Sequence, residues 1–574
     1  MSRRDPQSLR SHRWMAGADM RSFDHRSRMA QLGRSEADYR GKPIIGIVNT
    51  WSELNPCHSH LRSRADDVKA GVWQAGGFPA ELPAFSIDEG FIRPTSMLYR
   101  NLLAIETEEA GRCHPIDGLV LLGGCDKTVP ALMMGALSLG VPFVFVPAGP
   151  MATGIWRGRE IAMGADTRKY YGELRAGTIT PAQYKEMELG IGRSPGTCAT
   201  AGTASTMAIA VEAMGLSLPG AAGIPATDAA HARMASEAGR CIVEMVWEDR
   251  TPARLLSQGS VDNAVIAVMA LGGSTNAIPH LLAMIRRTAL ALDLDRFDAI
   301  SARVPTIANL RPHGAYQMEH FFRAGGSRAF LERLRPLLDT EARTCSGRTL
   351  GEEIAGAEVF DDEVILPLAA PFQDKGGMAV LRGNLAPRGA VVKTSAASPD
   401  LLVHEGEAVV FEDYDDYKAR IDDPALPVTP DSVLVVKSLG PKGGVGMPEA
   451  GMFQIPRKML EAGVRDMVRI SDARMSGGSF GTCVVHVAPE SHVGGPLALV
   501  RSGDRIALDV PGRRLELLVD PAELERRRMA WTAPPERYPR GWVALHMAHV
   551  QQVDEGCDFD FMGGTAPTPE PQII

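Results

Sequence analysis

The sequence predicts an α/β protein in two parts, a parallel-sheet α/β domain followed by a β-barrel-like domain. Three observations carry this. Between Pro43 and Val146 short apolar runs alternate with helical patterns. From about Gly376 the rhythm changes to eight short β-rich runs punctuated by Gly and Pro. The chain has 574 residues, too long for one ordinary core.

In the first part, Pro43–Thr50 (PIIGIVNT) reads as a buried strand. Leu61, Ala65, Val68 and Val72 then recur at helical spacing. Phe78–Phe85 reads as a weaker strand. The next helix opens at Pro94 with Thr95 or Ser96 near its start, and carries Leu98, Leu102 and Ile105 on one face. Gly118–Gly124 is a buried strand, residues 129–139 a helix, and Val141–Val146 a strand again. Strand–helix–strand alternation implies a parallel sheet covered by helices on both sides. In the second part the runs are 379–385, 389–395, 407–413, 432–438, 466–472, 483–489, 504–510 and 513–519, a pattern that suits a barrel or sandwich. The boundary is placed at residue 370, where LPLAAPFQDKGG breaks the helical pattern, giving domains 1–370 and 371–574. The tail TAPTPEPQII is Pro-rich and reads as extended.

Composition excludes several classes. Hydrophobic residues make up 45% and charged residues 23%, the profile of a globular chain. The formal net charge is −8 and no long basic run occurs, which argues against nucleic acid as a partner. No stretch reaches the roughly 18 apolar residues of a membrane span. The basic N-terminus lacks an apolar signal core, so the expected location is the cytoplasm. Eight cysteines without close spacing do not form a disulfide framework.

In open parallel sheets, ligands bind beyond the carboxyl ends of the strands. The first strand here leads to Cys57, the second to Asp88 and Glu89, and the third to Cys125, Asp126 and Lys127. Gly123 and Gly124 allow a tight turn before Cys125, and a thiol at a helix start is expected to have a lowered pKa. Asp126 is a natural hard ligand for Mg²⁺. Ser194–Cys198 is another turn shortly before a helix, which puts Cys198 near that helix start. Three thiols from distant loops, with no CxxC pair, favour an iron–sulfur cluster over zinc. The plainer reading of any one of them is a small buried residue.

Two Gly-rich loops follow in the second part. Lys442–Glu449 ends in a carboxylate, and Ser471–Gly481 holds Ser476 and Ser479. Either loop could cradle a phosphate, present a reactive serine, or be a surface turn.

Six motifs taken together carry a resemblance. They are Asn-Pro-Cys-His (55–58), Gly-Gly-Cys-Asp-Lys-Thr (123–128), Gly-Thr-Cys (196–198) with Gly-Thr-Ala-Ser-Thr-Met (202–207), Gly-Gly-Ser-Thr-Asn-Ala (272–277), Gly-Met-Pro-Glu (446–449) and Asp-Ala-Arg-Met-Ser-Gly (472–477). In this order they resemble the dihydroxy-acid and sugar-acid dehydratases, over most of the chain. NTWSELNPCHSH, MLYRNLLAIETEE and WRGREIAMGAD point to the pentonate branch, the L-arabinonate type above all. Branched-chain enzymes usually continue Cys-Asp-Lys with Asn-Met-Pro, whereas this chain reads Thr-Val-Pro.

The resemblance implies that Cys57, Cys125 and Cys198 hold a [2Fe–2S] cluster, rather than [4Fe–4S]. It implies that Glu89, Asp126, Glu449 and a carbamylated Lys127 hold Mg²⁺. Ser476 matches the base that takes the C2 proton, with Ser479 the nearby alternative. The product would be a 2-keto-3-deoxy acid, and the assembly a homo-oligomer, a dimer or homotetramer. D-Xylonate or another aldonate and the branched-chain dihydroxy acids are the rival substrates. A phosphorylated substrate is disfavoured because the sequence shows no added basic cluster. A non-catalytic iron–sulfur sensor would need neither the base nor the second metal. His58 and His60 are read as substrate contacts or structure, and Cys113, Cys241, Cys345, Cys483 and Cys557 as packing or incidental.

Overall fold

The computed structural model describes residues 3–565 and 568–573. Strands β1 (Ile44–Asn49), β2 (Phe78–Pro83), β3 (Gly118–Gly123) and β4 (Phe143–Pro147) form one parallel sheet in the order β2-β1-β3-β4. Every residue of β1, β3 and β4 is buried, as a sheet covered on both faces requires. The principal helices of this part are α1 (Leu61–Gln74), α2 (Arg100–Cys113), α3 (Thr128–Leu139), α4 (Ala165–Arg175), α5 (Thr203–Ala213), α6 (Ala229–Trp247), α7 (Gln258–Ala270) and α8 (Ala277–Ile285). α1 packs with α6 against the sheet, and α2 packs with α3. With right-handed crossovers, the strand order puts these two pairs on opposite faces.

The helix after Pro94 departs from its expected face. Ser96–Tyr99 is a 3₁₀ turn capped by Thr95, and α2 starts only at Arg100. The tighter turn breaks the phase between Leu98 and the residues beyond it. The buried face of α2 is Leu103, Ala104, Thr107, Glu108 and Gly111, while Leu102 and Ile105 are half-buried.

All eight β-rich runs form strands: β5 (Ala379–Gly383), β6 (Ala386–Val392), β7 (Val403–Phe411), β8 (Val433–Val436), β9 (Arg469–Ser471), β10 (Cys483–Ala488), β11 (Arg505–Asp509) and β12 (Arg514–Leu517). They close a barrel in the order β8-β9-β10-β6-β5-β12-β11-β7. Period-two alternation sorts their side chains. Val410, Val433, Val435, Ile470, Val484 and Ile506 share one apolar cluster. Val409, Phe411, Leu434 and Val436 join another with Tyr417 and Leu460 from covering helices.

Beyond the barrel the chain returns to the first part. Trp542 Nε1 donates to the Leu98 carbonyl (2.9 Å), and Arg100 donates to the carbonyls of Gly556 (2.9 Å) and Cys557 (2.8 Å). Asp558 forms a fully buried pair with Arg287 at 2.8 Å. Within the Pro-rich tail, residues 568–573 form neither helix nor strand, and Glu570 pairs with Arg13 at 2.8 Å. Residues 566, 567 and 574 of that tail lie outside the described residues. Among the described residues, no helix is long and apolar enough to cross a membrane.

Candidate active site

The order β2-β1-β3-β4 reverses direction between β1 and β3, and such a switch point is where open α/β sheets form their clefts. The loop after β1 carries Cys57 and the loop after β3 carries Cys125. Cys198 comes from far along the chain. A parallel bridge of Pro150 with Thr197, and the Gly196 N–H donating to the Pro56 carbonyl (3.2 Å), bring it to the same edge.

Two histidines fasten these loops together. The buried His58 ring accepts the Gly124 N–H at Nε2 (2.9 Å) and presents Nδ1 to the Thr50 carbonyl (3.0 Å), tying the β1 loop to the β3 loop. His60 Nε2 donates to the Ala148 carbonyl beyond β4 (2.8 Å). Both histidines therefore act in structure. Burial lowers each to about 4, which keeps them neutral.

The turn at Cys125 works differently from the expectation. Cys125 itself takes the left-handed conformation, with φ 52°, and neither glycine before it does. Gly124 is needed for space, since a Cβ there would stand 2.5 Å from Ala148 Cβ and 2.8 Å from Thr197 Cγ2. The expected lowering of thiol pKa is also absent where a shift is resolved. The Cys125 hydrogen bond, then burial, holds Cys57 well above the ordinary thiol range. Burial, then Asp126 and Cys125, pushes Cys198 up to about 12. α3 begins at Thr128 with Lys127 in the capping position, so the helix starts three residues beyond Cys125.

Beside the thiols, three carboxylates close around one ammonium. Lys127 Nζ, fully buried, lies 2.5 Å from Glu449 Oε1, 3.1 Å from Glu89 Oε2 and 3.4 Å from Asp126 Oδ2. Burial opposes the charge on Lys127, but the three carboxylates outweigh it and hold the amine above its usual range. Burial, with the charges of Glu449 and Glu89, raises Asp126 to about 6. Glu449 falls well below the carboxylate range, because Lys127 and Arg474 outweigh its burial. Among the described residues, no group of three or more His, Cys, Asp or Glu side chains is arranged to hold a metal ion directly. Here the ammonium takes the place between the carboxylates. The donor chemistry still fits the expected groups. Hard oxygens converge on one buried cation position, and beside it Cys57 and Cys125 are hydrogen-bonded, with Cys198 close enough to perturb Cys57.

The loop Ser471–Gly481 reaches this region from the barrel. A Cβ on Gly477 would stand 2.5 Å from the Thr203 nitrogen, so the loop lies against the start of α5. Arg474 is fully buried and donates to Glu449 Oε1 (3.2 Å), the Met447 carbonyl (2.9 Å) and Thr95 Oγ1 (3.2 Å). Ser476 is half-buried, and Ser479 Oγ is buried without a partner. A cavity of about 760 Å³ opens beside the carboxylates, with Glu89, Glu449, Arg93, Arg168 and Arg537 in its wall. Its wall includes neither serine nor the three cysteines.

Residues 42–353 match the dihydroxy-acid/6-phosphogluconate dehydratase N-terminal family model, and residues 363–557 match its C-terminal counterpart. The chain belongs to the dihydroxy-acid/6-phosphogluconate dehydratase family. A 6-deoxy-6-sulfo-D-gluconate dehydratase of Pseudomonas putida is 50% identical to it, over 99% of this chain and 98% of the relative. An L-arabinonate dehydratase of Rhizobium leguminosarum bv. trifolii is 48% identical, over 97% of each chain. A dihydroxy-acid dehydratase of Methanothermobacter thermautotrophicus is 39% identical, over 93% of this chain and 97% of the relative.

In this dehydratase the structure adds residues that the motifs did not single out. Asn276 Nδ2 donates to Glu449 Oε1 (2.9 Å) and to Thr203 Oγ1 (3.0 Å). Glu89 accepts from Thr95 Oγ1 (2.9 Å), the Ser96 N–H (3.2 Å) and Ser96 Oγ. Asn276 and Thr203 lie within quoted motifs, and the sequence marks Thr95 and Ser96 only as a helix start. Asp88 is a turn residue, accepting the Phe91 N–H (2.7 Å). The three arginines of the cavity wall come from distant segments, so no basic cluster shows in the sequence.

Proposed function

We propose that the chain removes water across C2 and C3 of an aldonic acid, L-arabinonate first, to give the 2-keto-3-deoxy acid. The observation that carries this reading is the convergence of Glu89, Asp126 and Glu449 on one buried cation position close to Cys57, Cys125 and Cys198. Relatives named for L-arabinonate and for 6-deoxy-6-sulfo-D-gluconate support it, since both substrates carry an aldonate head.

Cys57, Cys125 and Cys198 would hold a [2Fe–2S] cluster, and Glu89, Asp126, Glu449 and a carbamylated Lys127 would hold Mg²⁺. When bound, the two groups supply Lewis acidity toward the substrate carboxylate and the departing hydroxyl. The charge balance favours this exchange. The ammonium brings one positive charge, and a carbamate with a divalent cation also sums to one. Ser476 Oγ takes the C2 proton. That needs a serine acidified by nearby positive charge, for which Arg474, two residues away, is a fixed source. The C2–H electron pair becomes the C2=C3 bond as the C3 hydroxyl leaves, and the enol tautomerises to the ketone. Arg474 and Asn276 fix Glu449 throughout, and Thr95 and Ser96 fix Glu89. A cytoplasmic homo-oligomer, dimeric or tetrameric, goes with this reading.

The test is keto-acid formation by anaerobically prepared, iron-loaded protein with Mg²⁺. The panel is L-arabinonate, D-xylonate, D-gluconate and 2,3-dihydroxyisovalerate. Turnover of sugar acids with little from dihydroxyisovalerate supports the proposal. The reverse preference moves the chain to the branched-chain substrates, and no turnover with a full cluster spectrum overturns the reading.

A further inference from the structure

We propose that a second cavity, between α4 and the barrel, binds an organic carboxylate with an apolar body, and that this ligand lowers turnover by drawing Arg168 away from the active site. The cavity measures about 550 Å³, within the range that holds a small organic molecule. Met452, Ile455, Leu460 and Phe480 give its wall an apolar part. Ile455 and Leu460 belong to a buried cluster on the outside of the barrel, so this part of the wall is firm. α4 supplies another part, with Ala165 and Arg168. Arg175 Nη1, at the end of α4, donates to the Ile455 carbonyl (2.8 Å) and fastens the helix to the apolar part.

The charge of the wall is unbalanced. It carries Arg168, Lys169, Arg311, Arg465 and Arg469 against Asp166 and Glu173 alone. Asp166 is taken by Arg311 and by the Ala162 N–H (2.6 Å). Glu173 is taken by Arg465 (3.2 Å) and by the Thr178 hydroxyl. Arg469 is matched from outside the wall by Asp466 (2.8 Å). Glu461, next in the chain to Leu460, is exposed and lies outside the wall. Among the described residues, no carboxylate lies within ion-pair distance of Arg168 or Lys169. Lys169 stands one turn before Glu173, which Arg465 already occupies. Two unmatched cations beside an apolar surface select a ligand with an anionic head and an apolar body, and the guanidinium fork matches a carboxylate. A sugar acid has the head but not the body.

The coupling runs through Arg168, which stands in the walls of both cavities. Its Nη1 donates to the Gly164 carbonyl (2.8 Å), and its charge reaches the active centre, where it lowers both Cys198 and Glu449. A carboxylate in the second cavity competes for that charge. The serine loop is a neighbour as well. Phe480 lies in the wall and its carbonyl accepts from Arg469 (3.5 Å). A Cβ on Gly478 would stand 3.1 Å from the Ala165 nitrogen, so the loop rests on the start of α4. The ligand therefore touches a helix and a loop that the dehydration centre also uses.

The probe is 3-phenylpropionate, with 3-phenylpropanol as its neutral match and sulfate as an anion without an apolar body. Binding is measured by calorimetry on the iron-loaded, Mg²⁺-supplied enzyme, with and without its best sugar acid, and turnover is followed over the same range. The carboxylate is expected to bind at least about tenfold tighter than either control, because a charge-assisted contact is added to the apolar one. Turnover is expected to fall in a way that saturating substrate does not relieve. Lys169→Glu is expected to weaken binding by about tenfold, and Ala315→Trp, which fills the cavity from its wall, to abolish it. Both variants keep wild-type turnover without the probe. Equal binding of acid and alcohol overturns the proposal, as does binding unchanged in Lys169→Glu and Ala315→Trp. Inhibition relieved by substrate overturns it too, since the probe then sits in the active site, and so does binding that leaves turnover unchanged. If Ala315→Trp does not fold, Lys169→Glu decides.

Discussion

His58→Leu tests how the thiol loops are held. The ring is fully buried, and its two nitrogens serve the Gly124 N–H and the Thr50 carbonyl. An acceptor at Nε2 requires the proton on Nδ1, so the tautomer is fixed by its partners. Leucine fills a similar volume and satisfies neither group. Each buried backbone group left unpaired costs about 1–3 kcal/mol, so the pair costs roughly 4 kcal/mol. If the loss stays local, amide exchange in the segment around Gly124 accelerates by about a thousandfold. The same change lets the Cys57 and Cys125 loops separate, so bound iron per chain falls after anaerobic reconstitution. His58→Gln keeps one donor and one acceptor and should recover part of both. Wild-type exchange together with wild-type iron content in His58→Leu would refute the role assigned to this ring.

Three further outcomes follow from the same contacts. Arg474→Met removes the charge that fixes Glu449 and leaves the Met447 carbonyl unpaired; destabilisation of about 3–5 kcal/mol by chemical unfolding is expected, and an unchanged midpoint contradicts it. Gly124→Val drives a side chain into Ala148 and Thr197, so stability should drop by about 1–3 kcal/mol or more, with iron binding lost in parallel. Lys393 is buried with no partner for Nζ, and burial lowers it to about 7. The unfolded chain therefore binds a proton that the folded one lacks between pH 7 and 10.5, and this residue makes stability rise with pH across that window. Lys393→Met should flatten that slope by up to about 1.4 kcal/mol per pH unit and stabilise the protein at pH 7; parallel curves would contradict it.

Much of the architecture was legible because it rests on local periodicity. β1, β3 and β4 read as apolar runs because both faces of the sheet are covered. The eight barrel strands read as β-rich runs because Gly and Pro separate them. The face of α2 was misread because the 3₁₀ turn at Ser96–Tyr99 shifts the phase, and no residue type announces that change. At the site, the strand ends named Cys57, Glu89, Cys125, Asp126 and Lys127, since chain order alone brings those ends to one edge. Cys198, Glu449 and Ser476 needed the motif resemblance, because their approach depends on long-range packing. The left-handed Cys125 was hidden by the glycines before it. Arg474 and Thr95 were hidden because they meet across 379 residues of chain, and the cavity arginines because they come together from distant segments.

The central claim is that the carboxylate cage, the three thiols and Ser476 act as one dehydration centre. Its most direct test is keto-acid formation from L-arabinonate by wild type and Ser476→Ala, both anaerobic, Mg²⁺-loaded and matched in iron content and cluster spectrum. The account predicts turnover in the wild type and a loss of at least about a hundredfold in kcat in the variant, with the spectrum unchanged. Turnover in Ser476→Ala within a few-fold of wild type would contradict it and pass the proton to Ser479 or another group.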